Sequence, residues 1–176
     1  MKTKLKKTLG KFINSLNQLQ SIVFSCYIKR DYFANRYDYE KQIHRVRIQL
    51  FHHMKKMRLL CGDQPLSSME NLYEIIFSLN VFKLRVADHA TFEVCENEMK
   101  LFTQCISAIL TNACDSRFRE NDSMAQLSSA INNFEELYRS TLQVVSYEPI
   151  VFLYFVQNMI ALREGLDIFL RDFIYA

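Results

Sequence analysis

KLKKTLGKFINSLNQLQSIVFSC, residues 4–26, decides the fold. Leu5, Leu9, Phe12, Leu16, Leu19, Val23 and Cys26 recur in strict 4-3 alternation. That spacing places them along one stripe of an α-helix, a seam of the kind bundles and coiled coils use. Asn14, Asn17, Gln18 and Ser21 fall between them as a polar outer face. The pattern predicts a helix over residues 3–32 whose stripe other helices must cover.

Working outward, the same periodicity recurs to the end of the chain. Ile43, Val46, Leu50, Met54, Met57 and Cys61 form the inner stripe of a second helix, over 38–61. Asp38 is placed to cap its start and Gly62 to end it in a left-handed conformation. Ser67 to Glu70 reads as a capping box opening a third helix, with Leu72, Ile75, Leu79, Phe82 and Val86 inward. Phe92, Cys95, Met99, Phe102, Ile106 and Ile109 mark a fourth, either separated by a break near 88–91 or continuous with the third as one kinked helix. The polar stretch 117–122 predicts a loop. A fifth helix follows with Met124, Leu127, Ile131, Phe134, Tyr138, Leu142 and Val145, and Pro149 opens a sixth over 149–174. The start of that last helix is apolar on every side. Such a helix is expected to be buried all round, in the centre of the bundle in preference to an interface with another chain.

Composition agrees. The 176 residues fit a single domain over 1–176, 49% of them are apolar and 23% charged, and only three Gly and two Pro are present. So few turn formers argue against sandwiches and barrels. The expected fold is all-α, an up-down antiparallel bundle of about six helices with short connections.

The five cysteines, Cys26, Cys61, Cys95, Cys105 and Cys114, are odd in number and never at C-x-x-C spacing. They read as buried free thiols of a cytoplasmic protein rather than a disulfide framework. The lysine-rich N-terminus lacks the apolar core of a signal peptide. The most apolar stretch, 149–162, is too short to span hydrocarbon, so the chain is expected to be soluble.

Sites of chemistry are not announced. Gly10, Gly62 and Gly165 lie too far apart to build a phosphate-cradling loop. None of the four histidines follows a Glu at the spacing of a di-iron bundle. His52 and His53 are adjacent and point about 100° apart on a helix, a poor arrangement for one metal. Asp88-His89 reads as a turn or cap, and Glu135-Glu136 with Glu93 and Glu96 as solvated faces. No catalytic residue, cofactor or metal site is expected, and no groove-reading motif points to nucleic acid.

Charge is the one uneven property. Residues 1–88 carry 16 Lys/Arg against 7 Asp/Glu, and residues 89–176 carry 6 against 12. Lys41, Arg45, Arg47, Lys55, Lys56 and Arg58 form a basic outer face on the second helix, with no acid between Lys41 and Gly62. This is the candidate contact face, for an anionic membrane surface or a protein partner. Tyr27, Tyr32, Phe33, Tyr37 and Tyr39 cluster where the first two helices meet, as an aromatic corner.

One stretch resembles a known family. It runs from Leu59-Leu60 through a Gly-containing loop to Leu72-Tyr73, and on through Phe82-Lys83-Leu84-Arg85-Val86-Ala87-Asp88-His89-Ala90-Thr91-Phe92-Glu93. Over roughly residues 1–115 it is similar to the helical cytoplasmic domain of fusaric-acid-resistance (aromatic-acid exporter) proteins of the bacterial inner membrane. The resemblance implies a non-enzymatic domain at the cytoplasmic face of that membrane, acting in oligomerisation or partner contact, with the membrane spans outside this segment. It carries over no functional residues. The alternative is a free-standing helical interaction module, an adaptor or bacterial effector, that binds a partner helix.

Overall fold

A computed structural model describes residues 2–62, 66–86, 91–113, 120–141 and 149–173. Those residues form six long helices and one short helical turn, with no strand among them. In chain order they are α1 (Lys2–Lys29), α2 (Arg36–Cys61), α3 (Leu66–Val86), the turn α4 (Thr91–Val94), α5 (Glu96–Asn112), α6 (Glu120–Thr141) and α7 (Pro149–Phe173).

The bundle is built around α1, not around the last helix. Its stripe from Leu9 to Cys26 is buried as the 4-3 spacing requires, with Leu5 at the edge. Ile13, Ser15, Gln20, Phe24 and Tyr27 are buried as well, so the covered face is much wider than a two-position seam. It contacts α2, α3, α4 and α5, and its rings reach α7 through Phe12–Phe169 and Phe24–Phe155. Asn17, expected on the outside, sits in the seam with α5 and donates to Ser107 Oγ at 3.2 Å. Gln20, fully buried, is satisfied on both ends: it donates to Asn17 Oδ1 at 3.0 Å and accepts from Thr103 Oγ1 at 2.7 Å. A buried amide needs such partners to avoid its desolvation cost.

Side-chain pairs fix the directions. Lys83 meets Glu40 and Arg58 meets Glu70, so α3 runs antiparallel to α2. Asn17–Ser107 and Arg30–Glu96 set α5 antiparallel to α1. Phe82–Tyr154 and the Gly165–Leu72 approach set α7 antiparallel to α3. A methyl group on Gly165 would lie only 3.1 Å from Leu72 Cδ2 and 3.2 Å from Ile75 Cδ1, so glycine lets these two helices close. One hydrophobic cluster takes buried residues from all seven elements. The all-α, up-down antiparallel bundle read from periodicity is the observed fold.

Local chemistry corrects several boundaries. The first helix stops at Lys29, three residues early, because Arg30 turns to φ +52°. The short connection is held by Asp31, which accepts from the Asn35 backbone N–H at 3.0 Å and from Tyr39 Oη at 2.6 Å. α2 therefore starts at Arg36, and Asp38 lies inside its first turn, where a carboxylate still suits the helix dipole. Gly62 does take a positive φ of 78° and closes onto Arg58 O at 3.0 Å. α3 begins at Leu66, so Ser67 is its second residue and not its cap.

The inner stripe of α3 is also rotated from expectation. Leu72 and Leu79 are buried, but Met69, Tyr73 and Ile76 accompany them, while Ile75 and Phe82 are only half-buried. The stripe Phe92 to Ile109 is buried throughout, although the helix is interrupted at Cys95. α6 already begins at Glu120, so the last three residues of the predicted loop 117–122 are helical. Met124 is half-buried and Leu127 and Ile131 are buried as expected. The positions 87–90, with Asp88-His89 and the question of a kink, lie outside the described residues, as do Leu142, Val145, Cys114 and the side chains of Val86, Phe134 and Tyr138.

The largest correction concerns α7. Its apolar start predicted burial all round, yet Leu153 is 48% and Tyr154 38% exposed. α7 packs on α3 and α6 at the flank of the bundle, and Phe155, Met159, Leu162, Leu166 and Phe169 are its buried stripe. The aromatic corner also divides. Tyr32, Phe33 and Tyr39 do meet, with Tyr32 5.2 Å from Phe33 and 6.1 Å from Tyr39. Tyr37 points to solvent, and Tyr27 turns into the main core, where its hydroxyl donates to Leu79 O at 2.5 Å.

The thiols illustrate the core's low polarity. Cys26, Cys95 and Cys105 are buried and Cys61 half-buried, each as a thiol outside any disulfide. Burial pushes Cys26 and Cys95 up to about 12 and raises Cys61 and Cys105 as well. Iodoacetamide labelling of the native protein at pH 8, read by mass spectrometry, is expected to reach Cys61 first among these four. Cys26 and Cys95 should stay unlabelled until unfolding. Fast native labelling of Cys26 would contradict this burial.

Candidate contact face and basic recess

α1 and α2 run side by side, so the lysine-rich start of α1 lies against the last turns of α2. Lys4, Lys7, Thr8 and Lys11 from α1 and His53, Lys56, Leu59 and Leu60 from α2 line one recess of about 370 Å³. None of the described lining residues is acidic. Lys6 is also exposed near this end, and the first turn of α1 contains no carboxylate. A cation in the first turn of a helix opposes the dipole, so Lys4 is placed unfavourably by a few tenths to about 1 kcal/mol until an anion offsets it.

His53 sharpens the site. Its ring lies 5.8 Å from that of His52, and its Nδ1 is closed off from solvent with no hydrogen-bond partner. Desolvation comes first in lowering its pKa, and the positive neighbours His52, Lys11 and Lys56 add to it. The imidazole is therefore held neutral near pH 7. Among the described residues no group of three His, Cys, Asp or Glu is placed to hold a metal.

The six residues of the basic outer face separate in three dimensions. Lys56 alone joins the recess. Lys41 and Lys55 are exposed. Arg45 lines a second recess of about 430 Å³ beside Asn17, Gln18, Ser21 and Ser107, where it is the one charged side chain among the described lining residues. Arg47 is half-buried against α3: it donates to Tyr73 Oη at 2.9 Å and stacks 4.2 Å from the centre of the Phe77 ring. Arg58 pairs with Glu70 at 2.9 Å across an exposed surface. The sequence offered His53 only as a poor metal ligand and did not show the convergence of α1's lysines on Lys56. That convergence needs the antiparallel register of the hairpin, which heptad spacing alone does not specify.

A third feature lies at the opposite end of the hairpin. Lys83 is only 1% exposed, 2.5 Å from Glu40 Oε1 and 4.4 Å from the centre of the Tyr32 ring. Tyr32 Oη donates to the same carboxylate oxygen at 2.7 Å. Burial alone would raise the Glu40 carboxyl, but these two hydrogen bonds outweigh it and hold the carboxyl below its ordinary range. The corner's open ring face is thus occupied by the protein's own ammonium.

Glu93 is exposed, and Glu96 forms ion pairs with Arg30 at 3.3 Å and Lys100 at 2.5 Å. No helix among the described residues is long and apolar enough to cross a membrane. No known protein family matches the chain, and neither curated proteins nor solved structures give a match.

Proposed function

We propose that the chain is a non-enzymatic helical contact module that lies against an anionic membrane surface, in the manner of a cytoplasmic domain of an exporter-like inner-membrane protein. The observation that carries this reading is the recess between α1 and α2, where four lysines converge with no carboxylate among the described lining residues. Basic side chains close to an anionic leaflet are worth about 1 kcal/mol each. Leu59, 80% exposed beside those lysines, adds an apolar group that can enter the headgroup layer. The exporter resemblance supports the same orientation, because basic residues next to membrane spans favour the cytoplasmic side.

A second reading is favoured by one observation. Ile48 and Phe51 are both exposed on the outer face of α2, at 56% and 47%. They offer a small apolar strip for a partner protein or a second copy of the chain.

Cosedimentation with vesicles separates the two. Binding is expected to vesicles of phosphatidylcholine plus phosphatidylglycerol and not to phosphatidylcholine alone, and to weaken as salt shortens the screening length. Combining Lys7→Gln, Lys11→Gln and Lys56→Gln should weaken binding about a hundredfold, from three such charges at 1.4 kcal/mol per decade. Equal binding by the triple variant would refute the membrane reading. Replacement of Ile48 and Phe51 by serine should leave vesicle binding intact.

A further inference from the structure

The recess has more cationic donors than an ordinary lipid diester can use. Lys4, Lys7, Lys11 and Lys56 all reach it, and none of the described lining residues is a carboxylate. A phosphodiester headgroup offers one charge and two free oxygens. A phosphomonoester offers nearly two charges and three strong acceptor oxygens.

We propose that this recess is a headgroup site for phosphomonoester lipids, the class that includes phosphatidate, with the four lysines donating to the terminal oxygens and His53 as the residue that favours the monoester over a diester. The inference rests on the membrane-surface reading above and specifies which lipid it prefers.

His53 supplies the discrimination. Among the described residues, the groups facing it are Lys4, Lys7 and Lys11 from α1 and His52 and Lys56 from α2, all cationic or neutral. They and the desolvation of the ring oppose its protonation. A dianion in the recess reverses that balance, so the imidazole takes up a proton and becomes a further charged donor. A monoanion reverses it less. Nδ1 is shut off from solvent and has no partner in the protein, so a bond to a headgroup falls to Nε2. The source of the phosphoryl group is a lipid and not a free metabolite, because Leu59 and Leu60 form part of the same wall and Leu59 projects into solvent. That apolar edge suits acyl chains beneath a headgroup.

The test uses the full chain and two vesicle sets matched in surface potential, phosphatidylcholine with phosphatidate and phosphatidylcholine with phosphatidylglycerol. Phosphatidate vesicles are expected to bind about tenfold more tightly, as one added charge-assisted hydrogen bond gives. His53→Gln should bring the two affinities to within about twofold of each other while retaining salt-sensitive binding to both. Circular dichroism checks that the variant keeps its helices. Equal affinities for the unaltered chain, or an undiminished preference in His53→Gln, would overturn the headgroup assignment alone. Absence of binding to either vesicle would overturn the membrane reading with it. Glycerol 3-phosphate binding as tightly in solution as phosphatidate does in a bilayer would overturn the assignment to lipid.

Discussion

Phe155→Ala is expected to lower the free energy of unfolding by about 3–5 kcal/mol, the usual cost of emptying a buried aromatic site. Phe155 is fully buried and sits where α7 meets α1 and α4. Its ring lies 5.9 Å from Phe24 and 4.9 Å from Tyr27 on α1, both edge-on, and 5.1 Å from Phe92 on α4. Phe24 in turn reaches Phe102 of α5 at 5.5 Å. Edge-to-face pairs add to the area term, so truncation removes packing and quadrupole contacts together. Urea denaturation followed by circular dichroism should show a lower midpoint at unchanged slope. A loss below about 1 kcal/mol would mean that the site collapses easily or that the ring is not central.

Glu40→Gln is the second large effect, and its comparison with Lys83→Met is the informative part. Lys83 is 1% exposed, whereas Glu40 is 41% exposed. Removing the carboxylate leaves an ammonium in the interior without a counter-charge, with a cost of about 3 kcal/mol. The Gln carbonyl and the Tyr32 ring offset only part of it. Lys83→Met instead removes the buried charge and fills its volume, and Glu40 can turn to water. That loss should stay near about 1 kcal/mol. The two measured changes should therefore rank Glu40→Gln well above Lys83→Met, and the reverse order would overturn this account. The pH dependence has a definite sign. A carboxyl held below its ordinary value of 4.5 contributes stability above that pH and loses it as pH falls through the folded-state value. The gap between the unaltered chain and Glu40→Gln should close on acidification below about pH 4.5.

How much of this was written in the sequence depends on which physical rule each feature obeys. The 4-3 spacing of Leu9 to Cys26 and of Phe92 to Ile109 identified buried stripes because a helix repeats every 3.6 residues whatever surrounds it. Burial of the apolar start of α7 was misjudged, because hydrophobicity says a residue can be covered but not that a neighbour is present to cover it. Leu153 and Tyr154 are exposed for that reason. The central place of α1 was hidden in Asn17, which reads as part of the polar outer face until α5 supplies Ser107 as its partner. The basic outer face of α2 was legible as composition. Its division into a recess, an Arg47 stacked on Phe77 and an Arg58–Glu70 pair depends on α1 and α3 arriving in a particular register.

The central position of α1 also has a consequence in time. α1, made before the other six elements, touches residues of the last of them, as Phe12 against Phe169 shows. Local bundles close each hairpin as it is made, but here the seat for α1's aromatic side is not complete until α7 has been synthesised. Contacts so distant in sequence raise the contact order above that of a simple run of hairpins and slow folding accordingly. During translation the α1–α2 hairpin must wait with Phe12, Phe24 and Tyr27 uncovered on one side, which makes the nascent chain a natural client for chaperones that hold apolar surface.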